Sequence, residues 1–255
     1  MSLSLDVLGW FLLVFARTSA FFSFAPPFGG SGVPPPARAG FSFLLSLLLV
    51  GWMPVGALPQ DGMGWVVVVV GELAAGLALA GFWSLFIGGL QMAGHLMGSQ
   101  IGLGWAGFYD PAFQESTEVM VVFQRLTGLL IFFCLDGHIR LMELMVRFFQ
   151  YVPPGAVSFK PEMVAVWSRA FGDLFVMGLK LASPVLLAMW LLTLAVGLVS
   201  RAAPQMNILA LDFPLRIMVG ILVLIVSLPH GVHLFKHLLE NFFQQTGYFL
   251  RTLVS

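Results

Sequence analysis

Charge is almost absent from apolar runs long enough to cross a bilayer, and that feature removes most folds from consideration. From Trp65 to Gly94 the one charged residue is Glu72. A soluble globule would have to bury such a stretch and coat it with polar sequence from elsewhere. Too little exists: 9% of the 255 residues are charged and 59% are hydrophobic, with a mean hydropathy of +0.95, whereas soluble domains are roughly 25% charged. Most of the surface must meet lipid or other protein. Formal net charge is zero, and no cluster of Lys and Arg suits a phosphate backbone, so nucleic acid is not an expected partner. The single cysteine, Cys134, excludes an intrachain disulfide or a cysteine metal cluster. Its apolar setting reads as a small buried hydrophobe.

About 20 apolar residues span a membrane as a helix, and lipid leaves no partner for open backbone groups, so helices dominate. The expected class is an all-α membrane protein of about six long helices arranged as hairpins. The first runs Leu5–Ala25 and ends at Pro26-Pro27. It has no Lys or Arg before its apolar core, as a signal peptide would, and reads as a retained helix. A Gly/Pro loop leads to the second, Phe41–Met53, extending towards Leu58. The third is Trp65–Gly94, and a glycine-rich stretch from Gln91 to Pro111 follows it. A fourth, Val119–Tyr151, stops at Pro153-Pro154-Gly155. The fifth is Met163–Ser200. A polar link, Arg201–Asp212, precedes the sixth, Phe213–Phe235, with the helical pattern continuing to Leu250. Residues 1–160 are Gly-, Pro- and Phe-rich; residues 161–255 form a plain helical hairpin. The Lys/Arg bias between alternate loops is too small to orient the chain.

Ionisable residues inside apolar helices are costly, so their positions are informative. Read as one helix, the fourth segment gathers Glu118, Arg125, Asp136, Arg140, Glu143 and Arg147 into a single stripe. Asp136–Arg140 and Glu143–Arg147 are i,i+4 pairs with the acid first, the favourable order. One unbroken helix of that length would reach about 50 Å, well beyond a hydrocarbon core of about 30 Å. Arg169, Asp173 and Lys180 share a face of the fifth helix. Two readings fit these stripes: ion pairs that glue helices or subunits, or the wall of a water-lined conduit. Arg17 and Glu72, alone in the first and third helices, are expected to pair with each other or with another subunit, because a buried charge must be paired or neutralised.

Gly94, Gly98 and Gly102 recur every four residues, a spacing that lets helix backbones approach. Then comes Gly102-Leu103-Gly104-Trp105-Ala106-Gly107-Phe108-Tyr109-Asp110-Pro111. It is too glycine-rich for a stable helix and too aromatic for an idle solvent loop. Irregular backbone at membrane depth is tolerated where it lines a cavity or is buried in protein. A mobile plug built on Gly104, Trp105, Gly107, Phe108 and Tyr109, or a packed re-entrant loop, fits equally. His230, His233 and His237 share one helix face without a carboxylate at ligating spacing except Glu240, which is weak ground for a metal site. No phosphate loop, nucleophile elbow or zinc-protease motif occurs. Asp136 and His138 point to different helix faces, so an acid–base pair between them is not expected. No catalysis and no cofactor are expected. A secondary transporter would need broken helices in two matching halves, and no such symmetry is visible.

The turn Pro204-Gln205-Met206-Asn207, followed by Phe213-Pro214-Leu215-Arg216, resembles the FliR family. Further matches fall in order: Arg17, Val33-Pro34 with Arg38, Gly71-Glu72-Leu73 with Gly76, Phe108-Tyr109-Asp110-Pro111, and Gly137-His138. The three prolines Pro34–Pro36 depart from the family pattern. The resemblance implies a flagellar type III export-gate subunit in the bacterial inner membrane at the basal body, present in one copy and not an enzyme. FliP and FliQ would be its channel partners, FlhA and FlhB further components, and unfolded flagellar proteins the cargo. It implies a FliP-like part at 1–160, with a plug near 102–117, and a FliQ-like hairpin at 161–255. A homologous virulence injectisome subunit shares the same pattern.

Overall fold

A computed structural model describes residues 2–26, 28–29, 33–52, 58–59, 61–103, 116–205 and 207–253. These form seven α-helices: α1 Ser2–Phe24, α2 Pro35–Trp52, α3 Gly62–Ile101, α4 Ser116–Cys134, α5 Gly137–Tyr151, α6 Glu162–Ala202 and α7 Ile208–Arg251. The class is that of an all-α membrane protein, with four helices long and apolar enough to cross a membrane, or five spans if α4 and α5 count as one broken span.

The expected fourth helix is two. Leu135 still donates to Ile131 O at 3.0 Å, but Asp136 adopts a left-handed backbone, φ 54 and ψ 29, which no α-helix accommodates. Arg140 N then bonds to Asp136 O at 3.1 Å and opens α5. The single stripe from Glu118 to Arg147 therefore does not exist, because angular position is not conserved across a break. The length argument moves as well. α4 and α5 hold 19 and 15 residues, whereas α3, α6 and α7 hold 40, 41 and 44. At 1.5 Å per residue these three reach about 60–66 Å, roughly twice the hydrocarbon core.

The third helix runs past Gly94 to Ile101. A Cβ on Gly94 would lie 2.6 Å from Val121 Cα, so its bare backbone lets α4 lie directly against α3. Gly102 has another task. With φ 91 it ends α3, its N–H bonded to Gly98 O at 3.2 Å, the left-handed stop that glycine adopts without strain. Cys134 is exposed, contrary to the expected burial, because it falls on the outward side of α4 beside exposed Phe133.

The chain packs as two compact units. One comprises Met1–Phe86, Asp136–Phe171 and Phe242–Ser255. Its core is aromatic: Phe82 stacks on Phe249 at 5.0 Å and meets Phe242 at 4.9 Å, while Phe22 packs edge-on to Phe41 at 4.9 Å. The other comprises Ile87–Leu135 and Gly172–Asn241. Its core is aliphatic and thioether: Met97, Ile101, Met120, Val185, Leu186 and Met189. The expected division into residues 1–160 and 161–255 comes from the family resemblance and not from packing.

Candidate functional site

In the first unit two isolated charges meet. α1 and α3 approach closely because Gly76 has no side chain; a Cβ there would overlap Arg17 O and lie 2.9 Å from Ala20 Cβ. One turn before Gly76, Glu72 faces Arg17. Arg17 Nε donates to Glu72 Oε2 at 2.6 Å, with both side chains fully buried. Arg17 Nη1 donates to Val152 O at 2.7 Å, just past the end of α5, and Gly155 N donates to Glu72 Oε1 at 2.7 Å. The rings of Phe148 and Phe149 each lie 4.5 Å from the guanidinium carbon, where a desolvated cation gains from an aromatic face. A buried ion pair is tolerable only when further hydrogen bonds meet its remaining atoms. This one has carbonyl, amide and two rings around it, with Arg17 Nη2 left without a hydrogen-bond partner.

Neighbouring polar groups hold the rest of this end together. Thr18 Oγ1 and Ser46 Oγ lie 2.7 Å apart, linking α1 to α2 through buried hydroxyls. Arg38 Nε donates to Val33 O at 2.9 Å and its Nη1 to Ser23 O at 3.2 Å, which ties the loop between α1 and α2 to its own start.

The second unit has its own polar centre. Arg216 Nε donates to Asp212 Oδ2 at 2.7 Å, Nη2 to Thr193 Oγ1 at 3.1 Å, and Nη1 to Gln100 O at 3.4 Å. Sequence reasoning misses this cluster, although Asp212–Arg216 has the same acid-first i,i+4 spacing noted elsewhere, because Asp212 sits at the end of the polar link Arg201–Asp212.

The remaining sequence-derived residues behave differently. Asp136, just before α5, is exposed, and Arg140, Glu143 and Arg147 are exposed on α5, opposite its buried Leu141, Leu144, Met145 and Phe148. Among the described residues no ion pair joins Asp136 to Arg140 or Glu143 to Arg147; the Arg140 guanidinium lies over Phe243 at 5.7 Å. Arg125 is exposed on α4, and Arg169, Asp173 and Lys180 are exposed on α6. Lys180 also borders a cleft with Gln124, Ser227 and His230. Pro204, Gln205 and Asn207 are exposed in the turn before α7, where Ala210 N bonds to Asn207 O at 3.1 Å. Gly104, Trp105, Gly107, Phe108 and Tyr109 lie outside the described residues.

Residues 8–242 match the model of the family described as bacterial export proteins, family 1. The chain belongs to that family. Members with curated names align with it nearly end to end. The flagellar biosynthetic protein FliR of Pectobacterium carotovorum subsp. carotovorum is 29% identical over 99% of this chain and 98% of its own. The protein of that name from Escherichia coli K12 is 28% identical over 92% of each, and that from Bacillus subtilis 168 is 29% identical over 88% of each. Arg17 and Glu72, the buried pair, fall inside the stretch that the export family matches.

Proposed function

We propose that this chain is a structural and gating subunit of the flagellar type III export gate, forming with FliP and FliQ an inner-membrane channel at the basal body that passes unfolded flagellar proteins. The observation that carries this reading is the end-to-end match to export-family members named flagellar biosynthetic protein FliR.

The physical make-up is compatible with such a part. α3, α6 and α7 are far longer than a bilayer is thick, and large apolar residues such as Trp190, Leu198 and Val226 stand outward on them. Those faces need lipid or neighbouring subunits, and FliP and FliQ are the proposed neighbours. The exposed charges of α5 and α6 supply intersubunit ion pairs. Gly104, Trp105, Gly107, Phe108 and Tyr109 supply the obstruction that must move when an extended polypeptide passes, a role taken from the family resemblance. FlhA and FlhB are the further export components proposed as partners. None of these tasks needs a covalent step.

Deletion of the gene in its native host tests the reading. Loss of swimming and of flagellar subunits in the medium, both restored by a plasmid copy, is expected. A deletion strain that swims and secretes flagellar subunits normally but fails to secrete virulence effectors would replace it with the injectisome reading.

A further inference from the structure

Lys180 stands at a boundary in α6. After it, residues 181–200 carry no charge until Arg201. At 1.5 Å per residue that run covers about 30 Å, the thickness of a hydrocarbon core. A lysine at the edge of such a run lies at the depth of phospholipid headgroups, with its stem along apolar surface and its ammonium in the polar layer.

Other polar groups gather at the same place. Lys180 shares a cleft with His230 and Ser227 of α7 and Gln124 of α4. These four side chains bring an ammonium, an imidazole, a hydroxyl and an amide, all able to donate to an anionic oxygen. Among the described residues no carboxylate lines the cleft, and none pairs with Lys180. The remaining walls are largely apolar and include Met97 of α3, Pro184 of α6 and Leu224 of α7.

The sequence explains why space exists here. Pro184 supplies no N–H to Lys180 O, which accepts instead from Ser183 Oγ at 2.8 Å. Pro229 likewise supplies none to Ile225 O. A proline inside a helix removes a bond from the ladder and bends the axis, and α6 and α7 both carry one beside the cleft. Gly231 adds room: a Cβ there would meet nothing within 4 Å. This glycine also borders a second cleft, which continues past Ile131 and Phe235. The first takes in ≈ 400 Å³, open solvent included.

We propose that this cleft binds an anionic phospholipid, its headgroup phosphate met by Lys180 and His230 and its acyl chains lying along Met97, Pro184 and Leu224. Basic pockets between membrane helices suit such headgroups. A zwitterionic lipid brings a cation of its own, which Lys180 repels. The site needs only that the chain sits in a membrane, so it does not rest on the export-gate reading.

The test uses the full chain, purified in mild detergent with whatever subunits accompany it. It is titrated separately with phosphatidylglycerol, phosphatidylcholine and inorganic phosphate, and bound lipid is counted by native mass spectrometry. The wild type should hold phosphatidylglycerol roughly tenfold more tightly than phosphatidylcholine, the scale of a hydrogen bond to a charged group, and inorganic phosphate should not displace it. Lys180→Gln should remove that preference. Gly231→Leu fills the space without altering a charge and should weaken both lipids several-fold; it decides the question if Lys180→Gln does not accumulate. Equal retention of the two lipids by the wild type overturns the proposal, as does phosphatidylglycerol binding that neither variant changes. Displacement by inorganic phosphate overturns it in favour of a free-anion site. A lipid-free complex in which a carbodiimide joins Lys180 to another subunit overturns it in favour of an intersubunit ion pair.

Discussion

Arg17 shows how an expensive residue becomes an organising one. A guanidinium in a fully buried site is tolerable only with its carboxylate, carbonyl and rings in place, so removal of one member strands another. Glu72→Gln and Arg17→Ala should each destabilise the chain by about 3–5 kcal/mol, seen as reduced accumulation in membranes and a lower melting temperature in detergent. Replacing both residues with apolar side chains should recover part of that loss; equal damage from the double variant would mean that the partners outside the pair dominate. Asp136 offers a smaller test. Its left-handed backbone suits Asp, Asn or Gly, so Asp136→Val should cost about 1–2 kcal/mol in the same melting experiment and Asp136→Gly should not. Arg17 and Glu72 were legible in the sequence because each stands alone in an apolar helix. Val152 O and Gly155 N were not, because backbone groups carry no residue-specific signal. Asp212–Arg216 was legible in spacing but hidden by reading Asp212 as part of a link.

Among the elements, the largest departure from expectation lies between α4 and α5. Hydrophobic periodicity runs through residues 119–151 without a proline, and the chain breaks at Asp136-Gly137, where Asp136 takes a left-handed backbone. The i,i+4 acid–base spacing on α5 survives, yet its members stand outward in the isolated chain. Glu143→Lys should therefore leave the chain accumulating normally while lowering co-purification of FliP and FliQ several-fold; normal co-purification would assign that face to solvent. The contact of α1 with α3 is tighter. Gly76→Ala inserts a methyl against Arg17 O and Ala20 and should cost about 1–3 kcal/mol, read as lost thermal stability.

For the whole molecule, scarcity of charge and the length of apolar runs were enough to establish a helical membrane protein. Division into two packed units was not legible, because three helices pass from one unit to the other without a break and no linker marks the boundary. The apolar outward faces of α6 and α7 are an unfinished surface, which the export-gate reading leaves to lipid and to neighbouring subunits. Affinity purification of the chain from native membranes in mild detergent, followed by native mass spectrometry, addresses that assignment directly. One large complex holding a single copy of this chain with several copies of FliP and FliQ is expected; a monomer or simple homodimer from the same extract would overturn the export-gate reading.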